Sequence, residues 1–302
     1  MEPQLDKVKK NNYSHRNQIK IGNGKIIAVQ HLKASQHIIR IECPQIAEHS
    51  KPGNFIHIKC DQELAMRRPM SIMRASKREG WIEVLFKTVG KGTDLLAQKK
   101  VGTTASVLGP IGVPFKLSGY RKKPVLIGGG VGIPPMIYLA EHMKNKIGIS
   151  PLVFMGSEVS FPFTAIPSQI MSKLVPGNVL ATMPLLENWK ICSRLASNNG
   201  YAGCFEGFVT DLARFAINAS TNPKDDIELF ACGPTAMLQA VQSLANEFSL
   251  PCQISLEEHM ACAVGGCAGC AVKINSRTGE AMKRVCVDGP VFEAKTVVFG
   301  EA

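Results

Sequence analysis

Four cysteines near the end of this 302-residue chain constrain it more than any other feature. Cys262, Cys267, Cys270 and Cys286 lie in "HMACAVGGCAGCAVKINSRTGEAMKRVC", a C-x4-C-x2-C-x15-C spacing. Thiolates bind soft metals, and four of them close a tetrahedral zinc site or share a two-iron cluster. Structural zinc sites usually use two short C-x2–4-C pairs. Here three thiols sit within nine residues and the fourth stands apart, the division found in plant-type [2Fe–2S] sites. Gly265, Gly266 and Gly269 permit the backbone angles that a loop needs to wrap a cluster with its amides inward. After Cys270, "AVKIN" reads as a strand, "SRTG" as a turn and "AMKRVCV" as a return strand. Such a hairpin brings Cys286 back to the loop without a long linker. Zinc is the competing occupant.

The other six cysteines, Cys43, Cys60, Cys192, Cys204, Cys232 and Cys252, are scattered. A small buried side chain is the ordinary explanation for each. The leading segment "MEPQLDKVKKNNYSHRNQIK" has no apolar run, so the sequence predicts no signal peptide and a cytoplasmic, reducing setting. No apolar stretch reaches the length of a membrane span. The formal net charge is +11, spread along the chain without a dense basic block or interleaved aromatics. That pattern argues against nucleic acid and for anionic cofactors or an acidic partner surface.

Three units follow a polar extension (1–20). From 21 to 118, "KIIAVQHL", "HIIRIECP", "NFIHIKC" and "WIEVLFKTVG" are short β-rich runs broken by turn residues, which predicts an antiparallel β-barrel. From 119 to 249, "PVLIGGGVGIPPMIYLAEHMKNK", "SPLVFMG" and "DIELFACGPTAMLQAVQSLANEF" alternate strands with helices, which predicts a parallel α/β sheet with crossover connections. Residues 250–302 form the small cysteine-bearing β module.

Within the barrel, "MRRPMSIM" places two arginines before a proline. Arg68 suits a phosphate fork, Ser71 the edge of a flavin, and Pro69 stiffens the strand end. A solvated cationic strand end is the plain alternative. "VGKGTDLLA" sets Gly90, Gly92 and Thr93 at the start of a helix, where free amides and the helix dipole favour a phosphate. A threonine-capped turn explains the same residues. "LIGGGVGIPPM" offers Gly128, Gly129, Gly130 and Gly132 between strand and helix. That turn seats a pyrophosphate or simply packs strand against helix. Glu158, soon after "PLVFMG", is placed to meet an adenosine ribose and to repel a 2′-phosphate.

The order of Arg-x-x-Ser, Gly-x-Gly-Thr and Gly-Pro-x-Gly before a glycine-rich α/β unit resembles the ferredoxin–NADP reductase superfamily. With "EEHMACAVGGCAGC" and "CVDGPVF" added, the chain is similar to the electron-transfer subunits of the NAD-linked class of dihydroorotate dehydrogenase, over nearly everything from Ile21 onward. The resemblance implies FAD contacts at Arg68, Pro69, Met70, Ser71, Gly90, Gly92 and Thr93. It implies NAD at the Gly128–Gly132 turn, with Cys232 of "ACGPTAML" beside the nicotinamide, and a [2Fe–2S] cluster on the four cysteines. It implies a partner subunit carrying FMN that oxidises dihydroorotate, two copies of each subunit, and electron flow from cluster to FAD to NAD. Six positions depart from the pattern. Met70 stands for a usual tyrosine, Ala263 for a usual glycine and Val113 for a common asparagine, and Ser197, Asn198 and Asn199 replace Thr-Asp-Asp. The same modules also suit the reductase of an oxygenase, a hydrogenase or a sulfur-reducing complex, and a zinc-stabilised scaffold is the reading from another class.

Overall fold

A computed structural model describes residues 14–276 and 279–300. Six strands form the first unit: β1 (Lys20–Leu32), β2 (Gln36–Glu42), β3 (Phe55–Lys59), β4 (Arg68–Ser76), β5 (Trp81–Lys87) and β6 (Thr104–Ile111). They close into an antiparallel barrel in the order β1-β2-β5-β4-β3-β6. Closure removes the sheet edges that would otherwise expose unpaired backbone. Ile26, Ile39, Ile41, Ile56, Ile58, Ile72, Ile82 and Val84 are fully buried inside it, because β-branched side chains suit a pleated surface. Two short helices sit on this unit, α1 (Pro44–Ala47) and α2 (Lys91–Ala97).

The second unit is built on β7 (Lys123–Gly129) and β8 (Leu152–Gly156). A two-residue pair follows, β9 (Ile166–Pro167) with β10 (Ala181–Thr182), and then β11 (Cys192–Ala196), β12 (Ile227–Cys232) and β13 (Cys252–Ser255). The helices are α3 (Ile133–Met143), α4 (Pro184–Asn188), α5 (Val209–Asn218), α6 (Pro223–Asp226) and α7 (Thr235–Phe248). The strand order is β11-β8-β7-β12-β13, all parallel, as the alternation of strand and helix predicts. The chain starts at β7, steps outward through β8 to β11, then returns to β12 on the other side. That reversal leaves a crevice at the carboxyl ends of β7 and β12, where open α/β sheets bind ligands.

The C-terminal segment contributes β14 (Ala271–Ser276), β15 (Gly279–Arg284) and β16 (Val291–Glu293). β14 and β15 pair antiparallel from Ala271↔Arg284 to Ser276↔Gly279. Of the turn between them, residues 277 and 278 lie outside the described residues. β16 adds antiparallel to β13, so the six-stranded mixed sheet runs on past Leu250 into the cysteine-bearing segment.

The units are stitched together by polar contacts. Tyr138 on α3 donates its hydroxyl to Ser50 O at 2.9 Å, and Arg74 of β4 pairs with Glu141 of α3 at 2.8 Å. Where the barrel ends, Val113 N donates to Gly289 O at 2.6 Å. A side chain at Gly112 would meet Pro290 at 2.3 Å, so that junction requires glycine. Ser14–Gln18, the described end of the cationic leader, is a 3-10 turn. Residues 1–13 lie outside the described residues. Among the described residues, no helix is long and apolar enough to cross a membrane.

Candidate functional site

The barrel's motif residues meet at one corner. Arg68 opens β4, and Gly90 precedes α2. A Cβ at Gly92 would lie 3.0–3.1 Å from the Arg68 guanidinium, so glycine leaves the room that the arginine uses. Arg68 Nη1 donates to Met66 O at 2.9 Å. Thr93 Oγ1 accepts from Val89 N and Gly90 N at 2.9 and 3.2 Å and donates to Gly90 O, which fixes the turn from within. Cation, glycine turn and helix start therefore share one place, a combination that suits a diphosphate. Arg68, Pro69 and Ser71 are half-buried, whereas Met70 is 8% exposed and belongs to the barrel core with Ile56 and Ile72. Strand alternation explains this: Met70 points inward and its neighbours outward.

At the sheet's crevice the glycine turn and the Cys-Gly-Pro turn are in direct contact. Gly128 is in register with Cys232. A Cβ at Gly132 would meet Cys232 O at 2.2 Å and Gly233 N at 2.4 Å, and one at Gly129 would meet Met237 Sδ at 2.5 Å. Gly130 has φ +53° and open space around it, so it alone of the four has the left-handed backbone that glycine favours. The turn is thus shaped mostly by its neighbours. Ser197 Oγ donates to Ser157 O at 2.7 Å and Asn199 Nδ2 to Glu158 O at 2.5 Å, which ties the loops after β8 and β11 together. The Glu158 side chain is exposed at the end of β8.

Cys232 is fully buried. Burial and then the nearby Glu257 charge push its thiol well up, which outweighs the hydrogen bond with Ser255 and keeps the group neutral. Its Sγ donates to Glu257 Oε1 at 3.7 Å. Glu257 is reached by solvent, yet surrounding protein desolvates its carboxyl and raises it above the usual carboxylate range. Sequence reasoning missed Glu257. Its signal is the doubled glutamate two residues past β13, the strand that pairs Ser255 with Cys232.

The four clustered cysteines come together as two pairs. Cys267 N donates to Cys262 Sγ at 3.4 Å. Cys270 Sγ and Cys286 Sγ are 3.4 Å apart. Among the described residues, no three metal-ligating side chains converge on one point. A single tetrahedral ion needs its four donors at one centre, whereas a two-iron cluster takes two thiolates at each iron. The donor set fits the cluster.

The loop amides fit it too. Partial burial raises the Cys262 thiol, but bonds from the backbone of Val264, Cys267 and Gly266 and from the Cys267 thiol outweigh that and bring it to about 6. Cys286 is pushed up to about 12 by burial and then by its hydrogen bond with Cys270, against a backbone bond from Gly265. The loop holds a left-handed backbone at Ala263 (φ 56°), Gly265 (φ 85°) and Ala268 (φ 55°). The alanine at 263 thus adopts the conformation for which glycine is usual, and Val264 still reaches Cys262. A Cβ at Gly265 would meet Val287 at 2.5 Å, so that position needs glycine on both counts.

Two arginines that sequence reasoning passed over hold this loop from outside. Arg284 Nη1 donates to Gly265 O at 2.9 Å, and its backbone N–H donates to Asp288 Oδ2 at 2.9 Å. Arg16 Nη2 donates to Val264 O at 2.9 Å, and His15 Nε2 lies 3.1 Å from Val287 O. A cation two residues before Cys286 hints at the first; nothing local announces the second. The remaining scattered cysteines are buried or half-buried free thiols, as expected.

Residues 257–298 match the family model described as the iron–sulfur cluster binding domain of dihydroorotate dehydrogenase B. The chain is 30% identical over 282 residues to the dihydroorotate dehydrogenase B (NAD(+)) electron transfer subunit of Desulforamulus reducens, covering 93% of this chain and 99% of that one. It is 34% identical to the subunit of the same name from Caldanaerobacter subterraneus, over 82% of this chain and 87% of that one. Among solved structures, an NADH-dependent reduced ferredoxin–NADP oxidoreductase superposes with a TM-score of 0.72 at 25% identity, over 91% of this chain and 89% of that one. The ferredoxin reductase of a carbazole 1,9a-dioxygenase shares the fold at a TM-score of 0.61 and 20% identity, over 77% of this chain and 67% of that one. By its identity to relatives over nearly their whole length, the chain belongs to the family of dihydroorotate dehydrogenase B (NAD(+)) electron transfer subunits.

Proposed function

We propose that this chain is the electron-transfer arm of an NAD-linked dihydroorotate dehydrogenase. In this reading it takes electrons from an FMN-bearing partner that oxidises dihydroorotate and delivers them to NAD+. The observation that carries the reading is the two-plus-two arrangement of Cys262/Cys267 and Cys270/Cys286. It occurs on a chain that also has a cationic barrel corner and a glycine-walled crevice at the switch of its sheet.

The four cysteines would hold a [2Fe–2S] cluster. Arg68, Pro69, Ser71, Gly90, Gly92 and Thr93 would hold FAD, with Met70 packed behind them in the barrel core, and Gly128, Gly129, Gly130 and Gly132 would seat NAD. When bound, these groups supply one-electron chemistry at the cluster, two-electron chemistry at the nicotinamide and, at the flavin, the exchange between the two. The chain's own residues position and tune. Arg68 would oppose phosphate charge, the loop amides would stabilise thiolates, and buried Cys232, hydrogen-bonded to Glu257, would back the crevice. Two copies of each subunit in the cytoplasm is the assembly this reading takes, and the six cysteines outside the cluster site, all unpaired, suit a reducing compartment.

Anaerobic isolation tests the reading. About two irons and two labile sulfides per chain, one FAD and a co-purified FMN subunit with dihydroorotate:NAD+ activity are expected. A colourless chain with stoichiometric zinc and no flavin overturns it. The likeness to a ferredoxin–NADP oxidoreductase favours a second reading, the same modules serving another redox partner. A flavin- and cluster-loaded complex without FMN or dihydroorotate activity would select that reading.

A further inference from the structure

We propose that the N-terminal turn Ser14–Gln18 tunes the iron–sulfur site, and that Arg16 is the positioning residue through which it acts. The inference rests on the cluster reading above and goes beyond it, because none of the cluster's ligands lies within 240 residues of this turn in sequence.

The argument concerns two consecutive peptide groups of the cysteine loop. Arg16 Nη2 donates to Val264 O at 2.9 Å. Arg284 Nη1 donates to Gly265 O at 2.9 Å. Both peptides lie in the stretch between Cys262 and Cys267, whose backbone faces its own thiols: Cys267 N donates to Cys262 Sγ at 3.4 Å. Each guanidinium therefore grips the oxygen end of a peptide in the segment that carries the first two ligands. A cation on a carbonyl draws charge along the amide and strengthens the donor at its other end, by roughly 10–30% per bond in a hydrogen-bonded chain. Both arginines also place positive charge near the site without touching a ligand.

The turn is built to keep Arg16 there. Its carbonyl accepts from Ile19 N at 3.2 Å, and Ile19 packs against the main apolar core. Lys20 then begins β1, paired with Gly109 of β6. On the other side His15 lies 3.1 Å from Val287 O, next to Cys286. The leader is thus moored to the barrel at one end and to the residue after the fourth cysteine at the other. Arg16 itself is exposed, so removing its side chain opens no cavity.

An iron–sulfur site gains negative charge on reduction. Stronger N–H donors and nearby cations stabilise that charge, so loss of either makes the site harder to reduce. The test uses the full-length protein, purified without air as wild type, Arg16→Ala, Arg16→Lys and Arg284→Ala. Iron, sulfide and FAD are counted in each, and the cluster's midpoint potential is read by redox titration followed by electron paramagnetic resonance. Arg16→Ala and Arg284→Ala are expected to keep full cluster content and to titrate at a more negative potential. Arg16→Lys, which still donates a charged hydrogen bond, should fall between Arg16→Ala and wild type. An unchanged potential in a fully loaded Arg16→Ala protein overturns the proposal. Loss of the cluster from Arg16→Ala overturns it too, since the turn then holds the module and does not tune it. A wild type without iron or sulfide defeats the cluster reading instead, an outcome distinct from both.

Discussion

The cysteine loop and the glycine turn after β7 are both tight turns presented to cofactors, but different forces shape them. Around Cys262–Cys270 the backbone follows its own thiols: the Cys267 amide donates to Cys262 Sγ and the Gly269 amide to Cys267 Sγ. Two alanines, Ala263 and Ala268, accept left-handed angles to allow it. Around Gly128–Gly132 the backbone follows its neighbours. Gly132 is glycine because the Cys232–Gly233 peptide passes where a side chain would be, and Gly129 because Met237 does. The two alanines of the first loop are therefore constrained by angle, whereas Gly129 and Gly132 of the second are constrained by space. Angle strain is tolerable at about 1–2 kcal/mol per residue; a backbone atom at 2.2 Å cannot yield.

The largest effect expected is at Cys267, exposed at the front of the loop. Cys267→Ser should abolish iron and labile sulfide while FAD is retained at the barrel corner. Metal analysis with a visible spectrum reads both. Retained iron would mean that another donor completes the set. Next is Gly132→Ala, which forces a methyl into a backbone crossing. Overpacking costs typically about 1–3 kcal/mol, and with rigid atoms opposite the upper end is expected. The melting temperature should drop and NAD(H) affinity should weaken while cluster content stays full. A stable variant with normal affinity would show that the two turns separate freely. The smallest effect is Ala263→Gly. Relief of the left-handed angle favours glycine by about 1–2 kcal/mol, and loss of one buried methyl opposes it by about 0.8 kcal/mol. The net change should stay within about 1 kcal/mol by thermal melting, with the cluster intact. A large loss of stability would place the packing of that methyl above the angle.

How much of this was legible beforehand follows the same division. The barrel and the parallel sheet were readable because Ile-rich short runs and buried apolar strands carry their periodicity in the chain itself. The four cysteines were readable from spacing. Met70 was not: its neighbours in the motif face outward, but alternation sends Met70 into the core. Glu257 was not, because its role depends on β13 pairing beside β12, which brings Ser255 level with Cys232.

The amino-acid order alone determined which donors the protein owns: thiols spaced for two irons, an arginine before a proline strand, glycines at a strand end. Those are chemical identities and short separations, which one segment can specify. The tertiary fold alone decided which of them meet. Arg68 lies over Gly92, Gly132 lies under Cys232, and Arg16 reaches Val264 across the length of the chain. Such meetings depend on barrel closure and strand order, and closing so large a loop is set by the whole core and not by the residues that end up touching.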